Sequence, residues 1–270
     1  MKKNALLASD MDGTVIPLEG GRERAAEIRR FRQLIEENPQ VALAYVTGRH
    51  LELGLAGVAQ HRLPRPDIFV CDVGTTIFFH QQDGWQRDEG YRQQLRKSWG
   101  GHRGPDIARF LAGLAGLEAQ EVEKQSEFKQ SYYLAQVHGS DAILAAIRDR
   151  LASHGVAANV IYSVDSLTNI GLVDVLPPVA AKDYALAYLW HRLGLDQERV
   201  VYAGDSGNDL LAFVSGFNAI IVANTAAAVK EEVRNQARAK GIESRTFFAS
   251  ARYVQGVMEG CCHFNIFPAS

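Results

Sequence analysis

Cysteine, net charge and long apolar runs are all scarce in this chain, and each shortage removes a class of function. Three cysteines among 270 residues, two of them adjacent as Cys261 and Cys262, make neither a disulfide framework nor a site with metal-ligand spacing. The 29 Lys and Arg nearly cancel the 31 Asp and Glu, so no field of one sign draws the protein to nucleic acid or to anionic lipid. No segment approaches the roughly 18 consecutive apolar residues of a membrane span. The short run after Lys2 and Lys3 is interrupted by Asp10 and Asp12, which a secretory leader does not tolerate. The eight histidines are scattered, without an HExxH pair. The expectations are a reducing, cytoplasmic setting, no membrane or nucleic-acid partner, and a small molecule as ligand.

What the chain does have is strand-length apolar runs alternating with helical patterns. ALLAS near residues 5–9, an amphipathic helix from about Arg22 to Glu37, VALAYV at 41–46, a helix from about His50 to Gln60 and DIFVCDV at 67–73 read as β-α-β-α-β. The alternation returns with GLVDVL at 171–176, a helix from about Ala180 to Leu193, RVVYAG at 199–204, a helix from about Asn208, NAIIVA at 218–223 and two further helices. Runs of Val, Ile and Ala without polar alternation suit a sheet buried on both faces, so the expected class is α/β with a doubly wound parallel sheet. The middle differs: a hairpin around Asp83-Gly84, the strand candidates SYYLAQVHG and VAANVIYSVDSLTNIGLV, and a polar stretch at 91–128. The expected division is a core of residues 1–82 and 169–270 with an inserted α+β domain at 83–168.

Four clusters of reactive residues fall where ligands bind in such sheets, beyond the carboxyl ends of strands. Asp10, Asp12, Gly13 and Thr14 follow the first strand, Thr47-Gly48-Arg49 follows VALAYV, GDSGND at 204–209 follows RVVYA, and Lys182 lies in the first turn of the helix after DVLPP. Phosphoryl transfer uses this combination. Asp10 can attack phosphorus, and Asp12 can protonate the leaving oxygen and then activate water. Thr47 and Lys182 can meet charge on the transferring group. Two carboxylates beside a phosphate call for a divalent cation, and Mg2+ on Asp10, Asp205 and Asp209 fits, with Ser206 and Asn208 orienting its surroundings.

In order and placement, DMDGT, the threonine of VTGR, Lys182 and GDSGND resemble the four motifs of the haloacid dehalogenase-like superfamily of aspartate-nucleophile phosphatases. YVTGRHLELGL, VCDVGTTIF, FKQSYYL, GLVDVLPPVAAK, GDSGNDLLAF and GVMEGCCHF resemble, more narrowly, its sucrose-phosphatase branch. The resemblance implies a Rossmann-like core with an inserted α+β cap of the second type (C2), the cap carrying substrate specificity. It implies Asp10 as nucleophile, Asp12 as acid and base, Thr47 and Lys182 as phosphate stabilisers, and Mg2+ on Asp10, the Asp12 backbone carbonyl, Asp205 and Asp209. Gly48, Arg49, Lys129 and Asn208 become the residues expected to hold the sugar phosphate. Sucrose 6-phosphate is the implied substrate. Mannosylfructose, glycosyl-polyol or hexose phosphates are the alternatives, a sugar phosphomutase is the rival reaction, and a glycosyltransferase making the phosphorylated product is the implied partner. Pro178, Val179, Ala180 and Ala181 depart from the branch's glycine-rich approach to its lysine, as Gln130 departs from its KVSY.

Overall fold

The computed structural model describes residues 2–18, 25–134, 140–164 and 170–267. It divides into two units, Met1–Arg87 with Ala181–Ser270, and Asp88–Ala180. In chain order the first unit opens with β1 (Ala5–Asp10), α1 (Ala25–Glu37), β2 (Val41–Val46), α2 (Leu51–His61), β3 (Ile68–Cys71), β4 (Thr76–Gln81) and β5 (Gly84–Arg87). The second unit comprises α3 (Glu89–Ser98), α4 (Gly104–Leu111), β6 (Leu117–Ala119), β7 (Gln130–Leu134), α5 (Ser140–Ser153), β8 (Asn159–Val164) and β9 (Gly171–Leu176). The chain then returns to the first unit with α6 (Lys182–Leu193), β10 (Val200–Gly204), α7 (Leu210–Phe213), β11 (Asn218–Ile221), α8 (Ala227–Lys240), β12 (Thr246–Phe248) and α9 (Tyr253–His263).

The first unit is built on an eight-stranded sheet in the order β12-β11-β10-β1-β2-β3-β4-β5. Its strands from β12 through β3 run parallel, and β4 and β5 extend it antiparallel. Every residue of β1, β2 and β10 is buried, as their uninterrupted apolar character requires of strands covered on both faces. On one face Phe31 and Leu34 of α1 and Val254, Val257 and Cys261 of α9 join Leu7, Leu43, Val201 and Ile220 in a single apolar cluster. Burying such side chains contributes about 25 cal/mol per Å2 of apolar surface, the main force fixing the strand ends in space.

The second unit carries a four-stranded antiparallel sheet in the order β6-β7-β9-β8. Its core includes Leu95, Trp99, Ile107, Phe128, Ile147 and Val173, all buried.

Two boundaries differ from the expected 83–168. The hairpin at Asp83-Gly84 forms as read, with Gln81 opposite Gly84, but it belongs to the first sheet, so the first division falls after Arg87. GLVDVL, read as a core strand, is β9 of the second sheet, and the second division falls after Ala180. The reason is visible in its alternation: Val173 and Val175 are buried whereas Leu172 and Asp174 are only partly so, the pattern of an antiparallel sheet with one open face. On that face Asp174 accepts from the Ser131 hydroxyl at 2.5 Å. The expected boundary at 168 and the start of the first helix at Arg22 lie outside the described residues. β12, three residues at the sheet edge, has no counterpart in the sequence reading.

Candidate active site

The register of the first sheet brings the motifs together. Asp10 lies opposite Val46 and Ser9 opposite Ala203, so the segments after β1, β2 and β10 leave the sheet side by side at its carboxyl edge. After β1 the chain closes at once into a loop in which the N-H groups of Thr14, Val15 and Ile16 all donate to the Met11 carbonyl, at 3.3, 3.0 and 2.7 Å. Gly13 sits in it at φ 83°, and a Cβ there would overlap the Asp205 carboxylate. Only glycine allows both the turn and the approach. The Thr14 hydroxyl donates to Asp205 Oδ1 at 2.9 Å, tying the first and third motifs to each other.

Lys182 arrives by a different route from the expected one. It is the first residue of α6 and does not follow a strand of this sheet, yet its ammonium donates to Asp10 Oδ1 at 2.8 Å and to Asp209 Oδ1 at 2.6 Å. All three side chains are buried. Burial pushes the Asp10 carboxyl up to about 7, against the pull of Lys182 and with Asp209 and Asp205 adding to the rise. Burial and the Asp209 charge likewise raise Asp205 to about 6. Burial opposes ionisation of Asp209 too, but Lys182, the Tyr202 hydroxyl and the Ser206 N-H outweigh it and hold Asp209 below the usual carboxylate range. The Lys182 ammonium, disfavoured by burial, is kept above the ordinary lysine range by Asp10 and Asp209.

Asp209 is saturated. Its Oδ1 takes Lys182 and the Tyr202 hydroxyl at 2.5 Å, and its Oδ2 takes the N-H groups of Asp205 and Ser206 at 3.0 Å each and the Ser206 hydroxyl at 3.1 Å. It therefore anchors both the lysine and the turn that carries Asp205.

Asp12 is placed differently. Its carboxylate is 41% exposed and is gripped at both oxygens by Arg49, Nε to Oδ2 at 2.8 Å and Nη2 to Oδ1 at 2.6 Å. Arg49 is in turn held by its backbone, which donates to the Thr47 hydroxyl at 3.2 Å and accepts from the Asp72 N-H at 3.0 Å. Thr47 is buried, Gly48 and Asn208 are exposed, and Lys129 belongs to the second unit, buried in the tight turn that leads into β7. Of the expected site residues, Asp10, Asp205, Asp209 and Lys182 form one cluster, and Asp12 and Arg49 form a pair beside it. The sequence reading missed Tyr202 and Asn224. Asn224 follows β11 at the next strand end, a usable signal, and donates to the Gly13 carbonyl at 2.7 Å while accepting from the Tyr253 N-H at 3.0 Å. Tyr202 lies mid-strand in an apolar run and offers no signal.

Asp10, Asp205 and Asp209 each offer an oxygen within 4.8 Å of the others. An all-oxygen donor set suits a hard divalent cation, and three carboxylates against one ammonium leave the negative charge such an ion would balance. No helix among the described residues is long and apolar enough to cross a membrane.

A doubly wound sheet interrupted by an α+β unit, with buried acids and a lysine at its carboxyl edge, accompanies what the relatives show: the chain is a haloacid dehalogenase-like phosphoric monoester hydrolase. The profile of the sucrose-6F-phosphate phosphohydrolase family matches residues 3–265, and the chain belongs to that family. A mannosylfructose-phosphate phosphatase of Agrobacterium fabrum is 30% identical over 270 residues, covering 99% of this chain and 100% of that one. A glucosylglycerol-phosphate synthase of Pseudomonas anguilliseptica is 28% identical over 260 residues, 96% of this chain but only 31% of the synthase. Among solved structures, the sucrose-phosphatase of Synechocystis, in complex with sucrose and phosphate, superposes with a TM-score of 0.76 at 24% identity, covering 99% of this chain and 100% of that one, a likeness of fold.

Proposed function

We propose that the chain hydrolyses a phosphorylated disaccharide, sucrose 6-phosphate first, through a phosphoaspartate on Asp10. The observation that carries this reading is the buried Lys182 ammonium bridging Asp10 and Asp209, which leaves a carboxylate aimed, fixed and charge-matched at the end of β1. An Asp10 oxygen attacks phosphorus and the bond from phosphorus to the sugar oxygen breaks. Asp12 gives that oxygen a proton. The resulting Asp12 carboxylate takes a proton from water as the water attacks the phosphoaspartate at phosphorus, releasing phosphate and restoring Asp10. Lys182 and the Thr47 hydroxyl stabilise charge on the transferring group. Asp10, Asp205 and the Asp12 carbonyl would hold Mg2+; Asp209 lies within reach of the same ion but already accepts five hydrogen bonds, so its part is to anchor Lys182 and the Asp205 turn beside it. The bound ion supplies neutralisation of the phosphate charge.

In this reading specificity belongs to the second unit, where Lys129 is the proposed sugar ligand; within the first unit Gly48 and Asn208 are the proposed phosphate-side ligands. Full-length similarity to a mannosylfructose-phosphate phosphatase favours a second substrate of the same class, mannosylfructose phosphate. A stretch like this chain inside a glucosylglycerol-phosphate synthase supports a glycosyltransferase as the source of the substrate. The three free thiols are consistent with a reducing, cytoplasmic setting. The test is phosphate release from a panel of sugar phosphates with Mg2+, ranked by kcat/KM. Sucrose 6-phosphate at the top is expected, and its place at the bottom would overturn the substrate. Stoichiometric phosphate is expected, whereas a need for a bisphosphate activator with almost no phosphate released would mark a mutase.

A further inference from the structure

We propose that Arg49 is a positioning residue for Asp12, fixing the carboxylate that serves the leaving oxygen, and is not in the first place a ligand of the sugar phosphate. The proposal rests on the phosphatase reading above. A guanidinium that takes both oxygens of one carboxylate sets its plane as well as its place, which a single-point contact does not. The pair joins residues 37 apart in sequence, one on the loop after β1 and one on the loop after β2, so it also ties two strand ends together.

Its surroundings are shaped for it. Arg49 Nη1 reaches back to the Leu53 carbonyl of α2 at 3.3 Å. One turn further along that helix stands Gly57, where a Cβ would lie 2.8 Å from the same Nη1. A glycine in a helix interior costs stability relative to alanine, and here it leaves the space the guanidinium occupies. With Asp12 41% and Arg49 29% exposed, the ion pair itself contributes little to folding. What it does supply is orientation two residues beyond Asp10, at the group that protonates the departing oxygen.

A positioning role and a ligand role separate in the leaving-group dependence. Phenyl phosphate and p-nitrophenyl phosphate have nearly the same shape, but phenolate is the more basic leaving group and depends more on protonation. Acetyl phosphate extends the series to a leaving group that needs little. The readout is kcat/KM, which covers the steps through departure of the leaving group and is blind to the later hydrolysis of the phosphoaspartate. In R49A a loss of roughly ten-fold to a hundred-fold is expected with phenyl phosphate, shrinking to within about three-fold for p-nitrophenyl and acetyl phosphate. R49K keeps the charge without the fork and is expected to fall between wild type and R49A. G57A, outside the reacting groups, is expected to give a weaker version of the R49A pattern and to add nothing to it in the double variant.

An equal loss across the series, or a loss carried by KM alone, would overturn the proposal and return Arg49 to substrate binding. D10N run beside these variants keeps the two readings apart. Phosphate release that survives in D10N would sink the phosphatase mechanism, whereas a dead D10N with a flat R49A series would sink the role of Arg49 alone.

Discussion

The floor and the rim of the candidate site handle charge in opposite ways. At the floor, Asp10, Lys182 and Asp209 are buried and joined by contacts of 2.8 and 2.6 Å, and Asp209 has no lone pair to spare. At the rim, Asp12 and Arg49 make a bond of equal length, 2.6 Å, in partial exposure. Burial turns the floor into a structure whose members depend on each other, because a buried charge stripped of its partner is costly. Solvent screens the rim pair, so it adds little to folding even while its two-point grip orients the Asp12 carboxylate. The contrast matches the chemistry proposed for each: Asp10 must stay fixed as it attacks phosphorus, while Asp12 must give up and regain a proton.

The largest expected effect is on turnover. D10N is expected to lower phosphate release on the order of a thousand-fold or more with the fold retained, measured by a phosphate assay beside circular dichroism. Next in size, removing the shared cation by K182A leaves Asp10 and Asp209 facing each other in a buried place. Urea unfolding should register a loss of about 3–5 kcal/mol, and a loss near zero would mean the floor is not interdependent.

Asp10 and Asp205 have carboxyls raised from 3.8 to about 7 and about 6, so the folded protein binds protons there that the unfolded chain has released. Their contribution to stability is complete below about 4 and is lost as pH rises through about 6 and then about 7. The depressed Asp209 acts oppositely, its contribution fading as pH falls through the acid range. Melting temperature in chelator is therefore expected to fall between pH 5 and pH 8, roughly, and added Mg2+ is expected to flatten that slope. A chelator-treated protein that grows more stable over this range would break the link between burial and charge at the floor. The smallest effect belongs to the rim: R49A should change unfolding stability by less than about 1 kcal/mol.

The gathering of the candidate residues at one sheet edge was legible because parallel sheets bring their strand ends together, and Asp10, Asp12, Thr47 and Asp205 lie at or just after the ends of apolar runs. Lys182 was legible for a partly wrong reason. The strand before it, β9, belongs to the second sheet, and the only polar residue that marks it as half-exposed, Asp174, stands alone inside a run of Val and Leu. The division of labour among the acids was not legible. Nothing in GDSGND says that Asp209 is filled by five donors while Asp205 takes a hydroxyl from Thr14, because those donors come from Lys182, Tyr202 and the turn's own backbone. Nor does TGR say that its arginine grips Asp12, a contact between two loops that only strand register brings together.

The most direct test is whether phosphate becomes attached to Asp10. Protein mixed with a radiolabelled sugar phosphate and Mg2+, then quenched in acid, should carry acid-stable, alkali-labile phosphate on the peptide holding Asp10, and D10N should carry none. Undiminished phosphate release with no label on that peptide would contradict Asp10 as the nucleophile.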